Sequence, residues 1–217
     1  PHSWEERHVL IQDKIFFIPE YYDNYDELTF PGWEDEAIFG NSNPVHVEYC
    51  SGNGWWIIEK ARENPEINWV AVEIRFDRVQ KIWSKMKNFE LKNLFIVCSD
   101  ARLLTEHYIP KDSVSESYVN FPDPWPKDKH AKHRIVQSPF IKEVADTMVP
   151  GKDIVLVTDD KVYSEQMIEV MNAEEKVTSC YPEPWYSHDV EDYGDSFFGT
   201  LWRKKGRSIY FHRYRKK

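Results

Sequence analysis

No stretch of this sequence stays apolar for the roughly 20 residues that a membrane-spanning helix needs, so no such helix is expected. The N-terminal residues also lack the basic-then-apolar run of a secretory signal, and a soluble cytoplasmic protein with no membrane partner is the expectation. Cysteine is scarce. Cys50, Cys98 and Cys180 are far apart, odd in number and in no C-x-x-C pattern, which suggests neither a disulfide framework nor a zinc cluster, and no metal is expected. There is no internal repeat, low-complexity tract or Gly/Ser-rich linker. What remains is 217 residues with 41% hydrophobic and 15% aromatic content, including nine Trp, enough for one sizeable core and too little for two ordinary domains.

Cations are also in deficit. A net charge of −9 argues on its face against a nucleic-acid partner, because Lys and Arg on phosphates supply most nonspecific affinity. The average hides an asymmetry. Arg203, Lys204, Lys205, Arg207, Arg213, Arg215, Lys216 and Lys217 crowd the last 16 residues without an acid among them. A second cluster, Lys127, Lys129, Lys132 and Arg134, is interleaved with His130 and His133. Either run alone reads as solvated surface; two in an otherwise acidic chain point to local anion sites.

Residues 1–43 are aromatic, acidic and broken by Pro19, Pro31 and Gly32, which reads as an irregular leader packed on a domain spanning 44–217. From Pro44 onward, short apolar runs alternate with longer helical patterns, the mark of a mostly parallel sheet with helices on its faces. Strands are predicted at 45–49, 69–72, 94–97, 117–120 and 154–158, with a closing strand at 208–214. Helices are predicted at 55–64, 77–89, 140–149 and 161–172, with Pro150 and Gly151 ending the stretch at 140–149. The fold class is α/β, a Rossmann-like doubly wound, mostly parallel seven-stranded sheet with an antiparallel strand near the C-terminus.

The first of these strands carries Glu48 and runs into Cys50-Ser51-Gly52-Asn53-Gly54 and then a helix, the place where such a sheet holds a nucleotide-like ligand. Small residues there let backbone approach a ligand closely. A Gly-x-Gly turn alone fits a dinucleotide enzyme or a plain tight turn equally well, although an unbroken G-x-G-x-x-G is absent. The next strand ends in Glu73, placed to accept hydrogen bonds from ribose hydroxyls, and the third is followed by Asp100, whose alternative role is an ordinary helix N-cap.

After the fourth strand comes Asn120-Phe121-Pro122-Asp123-Pro124-Trp125-Pro126-Lys127. Prolines on both sides of Asp123 restrict the backbone and hold the carboxylate in one direction, while Trp125 beside it suits a pocket for a flat base or simply covers the sheet edge. The run F-P-D-P-W-P-K-D-K-H-A-K-H-R-I-V-Q at 121–137 resembles the signature of the bacterial tRNA (guanine-N7)-methyltransferase family. Ile38-Phe39-Gly40-Asn41, Val72-Glu73-Ile74, Ser99-Asp100-Ala101, Val157-Thr158-Asp159 and the W-R-K-K-G-R-S-I-Y run ending at Tyr210 are similar to family segments in the same order.

That resemblance implies an S-adenosylmethionine-dependent enzyme that methylates N7 of a variable-loop guanine in tRNA, releasing S-adenosylhomocysteine and using no metal. It implies a cofactor site of Glu48, Gly52, Glu73, Asp100 and Asp123, with Asp123 catalytic, and an RNA substrate faced by Lys127, Asp159, Ser196 and Arg134. The protein is expected to be a monomer or homodimer without an obligate partner subunit. Two positions depart from the family pattern: Cys50, where glycine is general, and Ser196-Phe197-Phe198-Gly199, where Thr-x-Phe-Glu is general. The first puts a Cβ where backbone should approach the cofactor, and the second removes a carboxylate near the substrate. Two other readings fit the residues, a methyltransferase acting on an amide or exocyclic amine and a noncatalytic RNA-binding scaffold.

Overall fold

A computed structural model of the chain describes residues 7–20, 24–126, 128–190, 193 and 206–217. The chain divides into two compact units, residues 1–110 and 111–217.

In the first unit the strands are β1 (Leu10–Gln12), β2 (Ile15–Phe17), β3 (Val45–Tyr49), β4 (Asn68–Glu73) and β5 (Leu94–Cys98), and the helices are α1 (Trp55–Glu63), α2 (Phe76–Asn88) and α3 (Ala101–His107). The sheet order is β1-β2-β5-β4-β3. The pairs β3/β4, β4/β5 and β2/β5 are parallel, and β1/β2 is antiparallel. Every residue of β4 and β5 is buried, as expected for parallel strands covered on both faces. Trp56, Ile57, Ile58 and Ala61 of α1 and Val79, Ile82 and Met86 of α2 are their helices' buried faces.

Two features differ from the sequence expectation. The leader is not wholly irregular: Asp13 and Lys14, at φ 51° and 66°, make a two-residue turn of positive φ that matches the twist of a hairpin, so Leu10–Phe17 adds two strands to the sheet beside β5. Helix α3 was also not foreseen, because seven residues give too few turns for a periodic apolar pattern to show.

The second unit contains β6 (Val114–Asn120), α4 (Ser138–Thr147), β7 (Met148–Thr158), α5 (Lys161–Ala173), β8 (Val177–Ser179) and β9 (Tyr210–Lys216), with a 3-10 segment at Asp128–His133. Its strand order is β6-β7-β9-β8, with β6/β7 parallel and β9 antiparallel to both neighbours. Pro150 and Gly151 do not end a helix, as had been expected; α4 stops at Thr147 and β7 begins at once. The register jumps from Val114↔Met148 to Glu116↔Asp153, so the Pro-Gly pair sits in a bulge that the ladder skips. Among the described residues no helix is long and apolar enough to cross a membrane.

β9 is held by its own cations. Arg215 Nε donates to Asp153 Oδ1 at 2.8 Å and Arg213 donates to Asp153 Oδ2 at 3.0 Å and Glu116 Oε1 at 3.3 Å. Lys216 and Lys217 donate to the carbonyls of Ala145 and Glu175. These four residues, part of the basic cluster noted in the sequence, pair within the unit, Arg215 and Lys217 while exposed to solvent. Burial would raise the Asp153 carboxyl, but the two arginines outweigh it and hold it below the usual range. The core of the unit also includes His212, fully buried between the Ser164 hydroxyl at 3.0 Å and the Trp185 carbonyl at 3.2 Å. The carbonyl can only accept, so Nδ1 carries the proton and Nε2 accepts from Ser164. Burial lowers its pKa to about 4.

Two outcomes follow from this packing. A Cβ on Gly54, at φ 74°, would stand 2.7 Å from Ile82 Cγ1, so Gly54→Ala should lower unfolding free energy by about 1–3 kcal/mol in a denaturant titration. Because the folded state keeps His212 neutral down to about 4 while the unfolded chain protonates near 6.5, its contribution is complete above pH 6.5 and declines below it. Unfolding free energy should fall by up to about 1.4 kcal/mol per pH unit between 6.5 and 4 from this group, and His212→Gln should flatten that part of the profile.

Candidate functional site

In the first unit the chain leaves β3 through residues bent into left-handed backbone, Cys50 at φ 64°, Gly52 at 57° and Gly54 at 74°. Cys50 thus takes a conformation that favours glycine while carrying a side chain, so the departure from Gly at this position is accommodated by the backbone at some cost in strain. The turn is closed by Gly54 N donating to Ser51 O at 2.9 Å and by Ser51 Oγ donating to Glu48 O at 3.0 Å. It is fastened to β4 by Ser51 N donating to Val72 O at 2.9 Å. Around Gly52 there is open space, with no atom within 4 Å of where a Cβ would stand.

Glu73, 4% exposed at the end of β4, ties this region together. Its Oε2 accepts from Gly52 N at 2.8 Å and its Oε1 from Arg75 N at 2.9 Å, with Arg78 NH1 3.7 Å from Oε2. Glu48 is equally buried on β3, the neighbouring strand. Asp100 follows β5 and caps α3: Oδ1 accepts from Arg102 N at 2.9 Å, and the Arg102 guanidinium grips both oxygens, at 2.5 Å from Oδ2. The sheet order β5-β4-β3 therefore places Asp100, Glu73 and Glu48 at one edge of three successive parallel strands. The N-cap role of Asp100 is realised, and Arg102, which the sequence did not single out, is its partner.

In the second unit the ladder continues past β6 by one bond, Phe121 N to Val157 O at 2.8 Å, and then breaks. Phe121 (φ 46°) and Trp125 (φ 42°) are bulky residues in left-handed backbone on either side of Pro122, Asp123 and Pro124. Pro122 is buried and Asp123 is exposed. Trp125, 39% exposed, has the His130 ring at 5.8 Å and the His133 ring at 5.2 Å between centroids. Asn120, the last residue of β6, accepts at Oδ1 from the Tyr193 hydroxyl at 2.5 Å. Asp159, just beyond β7, pairs with Arg207 at 2.5 Å.

Arg134 is not on the surface as a phosphate contact would be. It is 4% exposed, its Nε donating to Pro124 O at 2.7 Å and its NH1 to Gln166 Oε1 at 2.6 Å, because the Ile135-Val136 run that follows draws it into the core. Lys127 and Ser196 lie outside the described residues, as does the rest of the Ser196–Gly199 segment. Sequence reasoning missed Tyr193 and Gln166, neither of which stands in a recognisable motif. Among the described residues no group of three or more His, Cys, Asp or Glu could hold a metal ion.

The family model described as "Putative methyltransferase" matches residues 42–212. A tRNA (guanine-N(7)-)-methyltransferase of Chlamydia felis is 46% identical over 217 residues, covering all of this chain and 95% of the relative. The enzyme of the same name from Geobacter metallireducens is 32% identical over 194 residues, covering 89% of this chain and 91% of the relative. Among solved structures, the 16S rRNA methyltransferase KamB is similar in fold, with a TM-score of 0.61 at 16% identity, over 88% of this chain and 96% of that one. The mixed α/β, parallel-dominated architecture with a C-terminal antiparallel strand is thus the Rossmann-like arrangement expected, enlarged by the β1/β2 hairpin.

The two hydrogen bonds on Glu73 set a testable stability. Glu73→Gln keeps the shape but turns an N–H donor toward one of the two backbone donors, and it should cost about 1–3 kcal/mol of unfolding free energy by chemical denaturation.

Proposed function

Since the chain belongs to the tRNA (guanine-N(7)-)-methyltransferase family, we propose that it transfers a methyl group from S-adenosylmethionine to N7 of a guanine in the tRNA variable loop. The observation that carries this reading is the backbone around Asp123, a carboxylate on an exposed loop whose geometry is fixed by two prolines and by positive φ on both sides.

The first unit fits the cofactor. A buried carboxylate already committed to two backbone N–H groups keeps further lone pairs for hydroxyl donors, and the space at Gly52 leaves backbone open to a ligand. Glu48, Gly52, Glu73 and Asp100 are the residues that would hold it. When bound, the cofactor supplies a sulfonium methyl, an electrophile that needs no metal or added acid.

Guanine N7 carries a lone pair and no proton, so no general base is required. The protein's work is orientation, which in well-aligned reactions is worth roughly 7–11 kcal/mol of a barrier. The base becomes cationic as N7 is methylated. Asp123 stabilises that charge and accepts from the exocyclic amine, an electrostatic role prepared in advance by the stiff loop. Trp125 walls the base, and Asp159, freed from Arg207, faces the same substrate. Lys127, Lys129 and Lys132 hold phosphates and set register without reading sequence. Ser196 is assigned to the guanine side of the site. The enzyme acts on tRNA without an obligate partner subunit.

Incubation of unmodified tRNA with labelled S-adenosylmethionine, followed by mapping of the labelled base, should place the methyl on N7 of a variable-loop guanine. Asp123→Ala should reduce transfer by about 100-fold or more while the thermal transition stays within a few degrees. Label on an exocyclic amine, or near-native turnover of the variant, would refute the reading.

A further inference from the structure

We propose that Arg134 is a positioning residue that sets the direction of the Asp123 loop from inside the fold. The consequence for turnover rests on the role given to Asp123 above; the clamp itself does not.

The orientation of the Pro124–Trp125 peptide is what the clamp controls. Its carbonyl oxygen, Pro124 O, accepts from Arg134 Nε at 2.7 Å, and its nitrogen belongs to Trp125, held at φ 42°. A bulky residue stays in that region only when its surroundings over-determine it, and rotating this peptide is the simplest way to relieve it. The hydrogen bond to Pro124 O opposes that rotation. Pro124 has no N–H to donate, so its carbonyl is the one backbone group by which this residue can be hydrogen-bonded.

Arg134 is in turn fixed to helix α5. NH1 donates to Gln166 Oε1 at 2.6 Å, and the guanidinium carbon lies 5.0 Å from the centre of the Tyr163 ring. The same two α5 residues hold the far end of the segment: Gln166 Nε2 donates to Val136 O at 3.0 Å, and Val136 N donates to the Tyr163 hydroxyl at 3.2 Å. Pro124, through Arg134, and Val136 directly are therefore both tied to Tyr163 and Gln166 of α5. Arginine is the residue suited to this, since its planar fork serves the carbonyl and the amide at once and its charge is delocalised enough to lie on an aromatic face. At 4% exposure it has no surface left for a phosphate.

The test compares Arg134→Met, Arg134→Lys and Gln166→Leu in the full chain with tRNA. Backbone hydrogen exchange at Phe121 and Val136, whose N–H groups donate to Val157 O and to the Tyr163 hydroxyl at the two ends of the loop, reads the clamp without reference to activity. In Arg134→Met, exchange at these amides should quicken about 10-fold or more, kcat should fall by about 100-fold, and KM for tRNA and the salt dependence of binding should stay within about twofold. Arg134→Lys, which keeps one donor for Pro124 O, should recover part of kcat and protection. Gln166→Leu should move both in the same direction by less, and it keeps the proposal open to refutation if Arg134→Met does not fold.

A raised KM and a shallower salt slope with native kcat and exchange would make Arg134 an RNA contact and overturn the clamp. Native exchange and kcat in both Arg134→Lys and Gln166→Leu would overturn it as well. If Arg134→Met loosens the loop while Asp123→Ala keeps full turnover, the clamp stands and the role of Asp123 falls.

Discussion

A carboxylate that is 4% exposed has to replace most of its lost hydration, and in this protein Glu73 does so with the backbone N–H groups of Gly52 and Arg75. The alternative, a buried acid without donors, costs several kcal/mol and ends in protonation rather than in an ion. The contact also fastens the turn after β3, whose Gly52 N is delivered to the carboxylate. Cys50 and Gly54 take positive φ in that turn, α1 starts where it ends, and the packing of Gly54 against Ile82 of α2 follows. One carboxylate at a strand end thus ties together the loop after β3 and the start of α2.

The second unit solves a different problem with similar means. Asp123 is exposed, so burial cannot hold it still, and the stiffness comes from the chain itself: two prolines, two residues in left-handed backbone, and the Arg134 guanidinium on Pro124 O. Prolines restrict φ but leave the plane of the following peptide free to turn. Side-chain hydrogen bonds from below remove that freedom, and strain at Phe121 and Trp125 is the cost of pointing the acid outward.

Much of this was legible in the chain. The strands β4 and β5 stood out because parallel strands buried on both faces are nearly continuous apolar runs, β3 showed through Val45, Val47 and Tyr49 at alternate positions, and Glu48, Glu73 and Asp100 stand at or near the strand ends. The N-terminal hairpin was not, since its turn is Asp13-Lys14 rather than one with the glycine that usually marks positive φ. β7 was read as starting at Ile154 because Pro150-Gly151 looks like a helix stop; only the partner strand reveals a bulge. Arg134 was misread for a related reason. It ends a run of lysines and histidines that looks solvated, and whether a guanidinium lies under a loop or over it depends on Gln166 and Tyr163, more than 25 positions away, which no local pattern reports.

The cations of β9 alter how a polyanion would experience this molecule. Arg213, Arg215, Lys216 and Lys217 are occupied with Asp153, Glu116 and backbone carbonyls. Each cation already paired in this way would release fewer condensed ions from a bound nucleic acid than a free one.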